Sequence, residues 1–418
     1  MIINISSWNF LMAHLCGWSA VALLFSAPFS RSLYILSGLL FVISWFAQKD
    51  LYVRLIKIKS LPIAKPALVL SFMVLVWATW SSAPFKEILN NLKVYSKLIM
   101  LLMLAATLSE DKWRKRAWWG LVAGMTLVLF STFANIFINL PWSMTQNQGL
   151  GADHSVFVEY VSQSVMTSVF MAFTLQHCIT SNELKMKVIW GLATLCCFIS
   201  IMFLLQGRSG LVACSVVFTV FALFYTPKSR RLLIMLLLIS ALTLLVVSSP
   251  LMLSRVLQAY NDVVQYRSFD ATSLGLRVDM WLFALKGFYS HPFIGTGIGT
   301  YPQLAASHFS TLSESQLIYA VIHPHNQYLF FAMEYGVLGL IGFLWLLWQF
   351  FKTAYVSHNP DKSILIAVTL VLAIDSIYNV PLWYRAESYF FYAVLALLVA
   401  SNFKLKDNEQ VKSFGQKA

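Results

Sequence analysis

Charge is what this chain has least of. Only 11% of its 418 residues are Asp, Glu, Lys or Arg, against about 25% in soluble domains. Apolar residues make up 59%, and the mean hydropathy is +0.71. Polar surface this scarce excludes a water-soluble fold; the solvent of such a chain is lipid. Acid is scarcer than base, with 17 Asp and Glu against 30 Lys and Arg, for a net charge of +13. The excess does not point to nucleic acid. The basic residues fall in short clusters between apolar runs, which is a topology signal. Cysteine is also rare. Cys16, Cys178, Cys196, Cys197 and Cys214 all fall within or at the ends of apolar runs, so no disulfide framework is implied. Internal repeats, low-complexity tracts and a soluble domain are absent from the sequence.

What is present is a series of apolar runs of spanning length. They lie near 10–27, 31–47, 66–82, 92–108, 117–138, 157–178, 187–205, 209–225, 231–248, 326–351, 362–379 and 386–402. At ~20 residues per crossing, they predict an all-α polytopic membrane protein of about twelve helices. No basic stretch precedes the first run and further spans follow it, so a cleaved signal peptide is not expected. With the N-terminus in the cytoplasm, twenty of the thirty lysines and arginines fall in cytoplasmic loops or the tail, which sets the orientation. The chain then divides into helices 1–9 over 1–248, an extracytoplasmic loop over 249–325, helices 10–12 over 326–402 and a cytoplasmic tail over 403–418. The loop is the only long connection, and long loops in compact proteins are usually functional. Shorter outer connections are expected near 83–91, 139–156, 206–208 and 380–385.

The outer-side basic residues carry the chemical signal. Arg208 lies in Leu205-Gln206-Gly207-Arg208-Ser209-Gly210, a tight turn between apolar runs. It reads as a snorkelling arginine at a helix end, or as an anion ligand served by close backbone approach at the glycines and by the N-terminus of the next helix. Arg277 lies on a predicted amphipathic helix, 276–289, with Leu276, Met280, Phe283, Ala284 and Phe288 on one face and Thr272 or Ser273 at its cap. A cation in a first turn opposes the helix dipole, so Arg277 calls for a bound anion or for an acid such as Asp279. Gly295, Gly297 and Gly299 form a GxGxG with no strand before it, read as a tight turn that packs the loop onto the bundle rather than as a nucleotide fingerprint. His323 and His325 flank Pro324 where the loop re-enters an apolar run, so an imidazole is expected at a helix N-terminus near Pro324 or His325. They are candidate catalytic groups, with interfacial polar residues as the alternative. Arg385 stands among aromatics in the last outer turn, as a belt anchor or part of a lipid portal. The outer side has no cysteine and few convergent acids, so no metal site is expected. Lys93, Lys97, Glu334 and Asp375 are charges within apolar runs.

His325-Asn326, followed nine residues later by Gly336-Val337-Leu338-Gly339, resembles the motif of the O-antigen ligase/O-antigen polymerase superfamily. Leu274-Gly275-Leu276-Arg277-Val278-Asp279-Met280-Trp281, the Gln206–Gly210 turn and the glycine turn at 295–299 are similar to that family's elements in the same order. The length of the chain favours the lipopolysaccharide ligase branch. Having His325-Asn326 and Gly339, where ligases often carry His-Ser with a different final residue, leaves the polymerase and protein O-oligosaccharyltransferase branches open.

The resemblance implies a GT-C-like glycosyltransferase of the bacterial inner membrane with a periplasmic site. It would move a glycan from undecaprenyl diphosphate to the lipid A core, inverting the anomeric centre, with no metal or other cofactor and no nucleic-acid partner. Arg208 and Arg277 would bind the diphosphate and stabilise charge on it as it leaves. His325 would take the proton from the acceptor hydroxyl. His323, Asn326 and Arg385 would bind or orient substrate. A lipid or solute transporter is the alternative of another class; it would want polar or broken segments at the midplane, and the runs show few.

Overall fold

The computed structural model describes residues 5–146, 148–149, 151–248, 250–264 and 273–403. The possible cap at Thr272 and the tail from Lys404 onward lie outside them. The described residues form helices throughout, with no strand among them. In order these are α1 (Ile5–Ser26), α2 (Arg31–Ala47), α3 (Leu51–Ser60), α4 (Ala64–Trp77), α5 (Phe85–Tyr95), α6 (Lys97–Leu108), α7 (Asp111–Ala134), α8 (Tyr160–Thr180) and α9 (Leu184–Ile199). There follow α10 (Arg208–Tyr225), α11 (Arg231–Ser248), α12 (Pro250–Val264), α13 (Ser273–Ser290), α14 (Tyr301–His308), α15 (Glu314–Ala320), α16 (Gln327–Val356), α17 (Lys362–Tyr378) and α18 (Arg385–Asn402). A π turn, Ser200–Leu204, prolongs α9.

Every one of the twelve apolar runs lies on a helix. Among the described residues, seven helical stretches are long and apolar enough to cross a membrane, or eight if α2 and α3, bent by 115°, count as one. The inner helices are less uniformly apolar because neighbouring helices, not lipid, surround them. α8 buries Ser162, Gln163, Ser164, Thr167, Ser168, Thr174 and Gln176. The segment 83–91, expected as a connection, is mostly helical: α5 begins at Phe85 and runs through a turn at Ser96 into α6.

Side-chain bonds fix which helix ends lie together. Tyr225 Oη, at the end of α10, bonds Gln176 of α8 at 2.7 Å and lies 3.4 Å from Ser363 at the start of α17. At the other end, Ser164 of α8 lies against Gly207 and Gly210, and Ser162 bonds Glu387 of α18 at 2.9 Å. The start of α10, the end of α17 and the starts of α8 and α18 therefore share one end of the bundle. Leu382 N bonds Gln327 Oε1 at 3.1 Å, so the start of α16 joins them. The opposite end holds the basic cluster at the start of α7, where Arg114 and Lys115 line a cavity with His177, Asp361 and Ser401.

The long loop is clasped to that first end through a break in α16. Gly336 has φ 67°, inside what is otherwise a 30-residue helix. The break frees two carbonyls. Met333 O accepts from Thr296 N at 2.8 Å, and Glu334 O accepts from Gly297 N at 3.1 Å. Val337 N donates to Pro292 O at 2.8 Å. The glycine turn enters with φ of 70°, 105° and 75° at Gly295, Gly297 and Gly299. A Cβ at Gly295 would strike the backbone of Glu334, and one at Gly336 the backbone of Phe293. Trp77 Nε1 and Ser81 Oγ tie the same turn to the end of α4, donating to Ile294 O at 2.5 Å and Ile298 O at 2.6 Å. A second apolar cluster, including Leu276, Met280, Ala284, Tyr301, Phe309, Phe330 and Met333, then packs α13 and α14 onto α16.

Gly336→Ala should therefore cost more than the ~1–2 kcal/mol of a left-handed alanine, because backbone blocks its methyl. Thermal unfolding in detergent checks this against Gly151→Ala, where φ is 88° and nothing stands within 4 Å. Equal melting shifts for the two variants would show that the clasp is dispensable.

Candidate functional site

The segment from Val321 to Asn326 crosses the clasped end. Pro324 has no N–H to give a helix, and the helix begins later than the sequence predicts, at Gln327. Asn326 is its cap: Oδ1 accepts from Leu329 N at 2.9 Å, and the Asn326 backbone is extended. That bond uses the Asn326 oxygen for the helix rather than for an imidazole. His325, just before the cap, takes φ 49°, the only positive φ at a described non-glycine residue. Such backbone costs about 1–3 kcal/mol and gathers at functional sites. The turn folds the two histidines together. Their rings are 4.2 Å apart, and His325 N donates to His323 Nδ1 at 3.3 Å. His323, 2% exposed, packs on Trp383 at 5.3 Å.

Arg277 reaches this pair through Tyr319 of α15. Its Nε donates to Tyr319 Oη at 3.1 Å, and Tyr319 Oη lies 3.4 Å from His325 Nδ1. The tyrosine and His325 rings stack at 4.2 Å. With the proton on Nδ1, donated to Tyr319 Oη, His325 keeps an open lone pair on Nε2. That Nε2 is buried and has no hydrogen-bond partner among the described residues. Buried nitrogens are normally paired, so it is placed to receive a proton from outside the chain. Burial first, then His323 and Arg277, hold the His325 imidazole well below its ordinary pKa. Burial, with Arg277 adding to it, pushes His323 down to about 3. Both rings are neutral at physiological pH.

α13 begins at Ser273, so Arg277 stands in the second turn rather than the first. Among the described residues no carboxylate is within salt-bridge distance of it. An acid within electrostatic reach is Asp375 of α17, buried at 1% exposure with neither oxygen bonded among the described residues. Arg208 opens α10 at the same end of the bundle, on its own helix. The glycines beside it work by size: a Cβ at Gly210 would strike Ser164, whose near neighbour Ser168 bonds Gly210 O at 3.0 Å. Arg385, the first residue of α18, lines a cavity with Arg31, Glu159, Trp383 and Tyr384. It is thus set apart from Arg277 and His325, which do not line that cavity.

Sequence reasoning groups Arg208, Arg277 and His325, with His323, Asn326 and Arg385 around them. The structure sets Arg277, His323 and His325 together through Tyr319, with Asn326 next in the chain. Arg208 and Arg385 each open a separate helix at the same end. The sequence grouping misses Tyr319, which bridges Arg277 to His325, and Trp383, on which His323 rests. Nothing in Leu317-Ile318-Tyr319-Ala320 marks that tyrosine; only the fold of the loop does. Asp375 stands out as a charge within an apolar run, but its proximity to Arg277 is a tertiary fact. Among the described residues, no group of three or more His, Cys, Asp or Glu is arranged to hold a metal ion.

Two comparisons bear on this arrangement. The family model described as O-antigen ligase matches residues 192–344. That span runs from α9 into α16 and contains Arg208, Arg277, both histidines and the broken helix. The O-antigen ligase of Escherichia coli (strain K12) is 21% identical over 409 residues, covering 93% of this chain and 92% of that protein. The two matches agree with each other and with an all-helical, multi-pass membrane architecture, and both make the chain similar to the O-antigen ligase family.

Proposed function

We propose that this protein is an inverting, metal-independent glycosyltransferase that moves O-antigen glycan from undecaprenyl diphosphate to the lipid A core at the outer face of the inner membrane. One observation carries the reading: a buried His325 imidazole nitrogen with no partner among the described residues, set within two bonded contacts of an arginine that has no described carboxylate at salt-bridge distance. Similarity to the O-antigen ligase family suggests the substrate class, and the likeness to the Escherichia coli O-antigen ligase suggests the reaction.

Each residue then has a task that its surroundings suit. His325 Nε2 accepts the proton of the acceptor hydroxyl as the new glycosidic bond forms. Tyr319 fixes the productive tautomer by accepting from Nδ1, and His323 holds the turn. Arg277 and Arg208 take the diphosphate oxygens and stabilise charge as the sugar–phosphate bond breaks. Asp375 keeps the Arg277 guanidinium in place without competing at bonding distance. Attack opposite the departing diphosphate inverts the anomeric carbon. The site faces the periplasm, with both termini in the cytoplasm. The basic cluster at the opposite end of the bundle supports that orientation.

His325→Ala is expected to fold and to lose glycan transfer by about 10²–10⁴-fold, the usual worth of a general base; undiminished transfer would remove the base. Arg277→Ala should lose transfer, and Arg277→Lys should recover little, because an ammonium cannot reproduce the guanidinium fork. Full activity in Arg277→Ala and in Arg208→Ala would reject the diphosphate clamp. The pH profile is also distinctive. A depressed histidine pKa keeps the base form present as pH falls through 6.5, so kcat/KM should hold at pH 6 and decline only in more acid solution. A fall centred near 6.5, the ordinary imidazole value, would contradict the environment described. Transfer should also persist in excess chelator; loss restored by a divalent ion would reverse the metal-independent reading.

A further inference from the structure

Beside the histidines lies a second cavity, of about 550 Å³, between the α1–α2 turn, the segment before α8 and the start of α18. His323 touches two of its walls, Trp383 and Tyr384. His325, Arg277 and Arg208 do not line it. Its composition is unusual for a membrane protein. Arg31 and Arg385 both line it, against a single acid, Glu159. A third cation stands just behind. Lys97 is 8% exposed; its Nζ donates to Ser388 Oγ at 2.5 Å and lies 4.4 Å from the ring centroid of Tyr389, a lining residue. Arg31 and Arg385 are both within electrostatic reach of Lys97. Among the described residues none of the three is within salt-bridge distance of an acid.

A buried charge in a spanning helix is costly and needs a counter-charge. Of the three cations only Lys97 is buried; Arg31 and Arg385 are exposed at their helix starts and line the cavity, where Glu159, which accepts from Ser162 at 3.3 Å, is the one acid in the lining. The rest of the wall is apolar, with Phe29, Phe157 and Ile322. A cavity lined by two cations together with aromatic and aliphatic side chains fits an anion carried on an acyl chain.

We propose that this cavity seats a phosphate of the acceptor lipid, held by Arg31 and Arg385 with Lys97 beneath. The proposal rests on the transferase reading, and the choice of acceptor over donor follows from position. A donor's diphosphate is bonded to the reacting carbon, so it must lie where His325 Nε2 can serve the attack. An acceptor's phosphates lie several sugars from its reacting hydroxyl. The cavity lies next to the histidine turn without including the open nitrogen, so the phosphate it holds is one remote from the reaction. Binding there would anchor the acceptor while its far end reaches His325.

The test is binding of a bisphosphorylated lipid A, its dephosphorylated counterpart and undecaprenyl diphosphate to the full chain in nanodiscs, read by native mass spectrometry. Lipid A should bind about tenfold or more tightly than the dephosphorylated form, since charge-assisted bonds are at stake. Arg31→Gln and Arg385→Gln should abolish that preference, raise the acceptor KM more than they lower kcat, and leave undecaprenyl diphosphate binding unchanged. Equal binding of the two lipid A forms, or weakened binding of undecaprenyl diphosphate in these variants, would overturn the assignment. Because an arginine variant can fail to fold, photo-reactive lipid A on the unaltered protein gives an independent reading: crosslinks should map to Phe29, Phe157 or Ile322, and crosslinks confined to other helices would refute the site. His325→Ala separates this proposal from the one beneath it. That variant should lose transfer and keep lipid A binding, whereas active His325→Ala would defeat the transferase reading whatever the binding shows.

Discussion

The site depends on a helix that is not allowed to finish. A continuous α16 would consume the carbonyls of Met333 and Glu334 in its own ladder. The positive φ at Gly336 releases them, and the glycine turn at 295–299 takes them up. Backbone groups cannot be left unpaired beside lipid, so the break and the turn require each other. Their meeting fixes the position of the loop that brings Arg277 and Tyr319 over the start of α16. The two glycines of the Gly336–Gly339 motif therefore act through shape, one by its dihedral and the other because a Cβ would strike Tyr335.

The bundle beneath is polarised. One end carries the loop, the histidine turn, and the starts of α8, α10 and α18; the other carries the basic cluster of α7. The same separation that orients a chain in a membrane also keeps stray cations away from the chemistry. The arginines that remain at the loop end are few and differ in their surroundings. Arg277 is bridged to an imidazole, Arg208 opens a helix, and Arg31 with Arg385 faces a cavity lined by aromatics.

Much of this was legible in the residues. Apolar run lengths marked where helices lie, because hydrocarbon thickness leaves little freedom, though only seven or eight described stretches have the length and hydropathy to cross a membrane. The face of α13 was readable from the spacing of Leu276, Met280 and Ala284, which are buried as a 3.6-residue period requires. The glycine turn was readable as a docking element, since φ values above zero leave that signature. What was hidden was tertiary. The start of α16 shifted to Gln327 because Asn326 caps better than the residues before it. Tyr319 carried no mark, since a tyrosine in a short loop helix usually signals only amphipathic packing. Asp375 and Arg277 lie nearly a hundred positions apart, and no local pattern links them.

The loop unit has its own apolar cluster, distinct from the core of the bundle, with α16 shared between them. Arg277 belongs to the first body and Arg208 to the second. An anion touching both would rivet the two together, and by mass action it would raise the temperature at which they part. Heat resistance would thus report occupancy, with no sugar transferred.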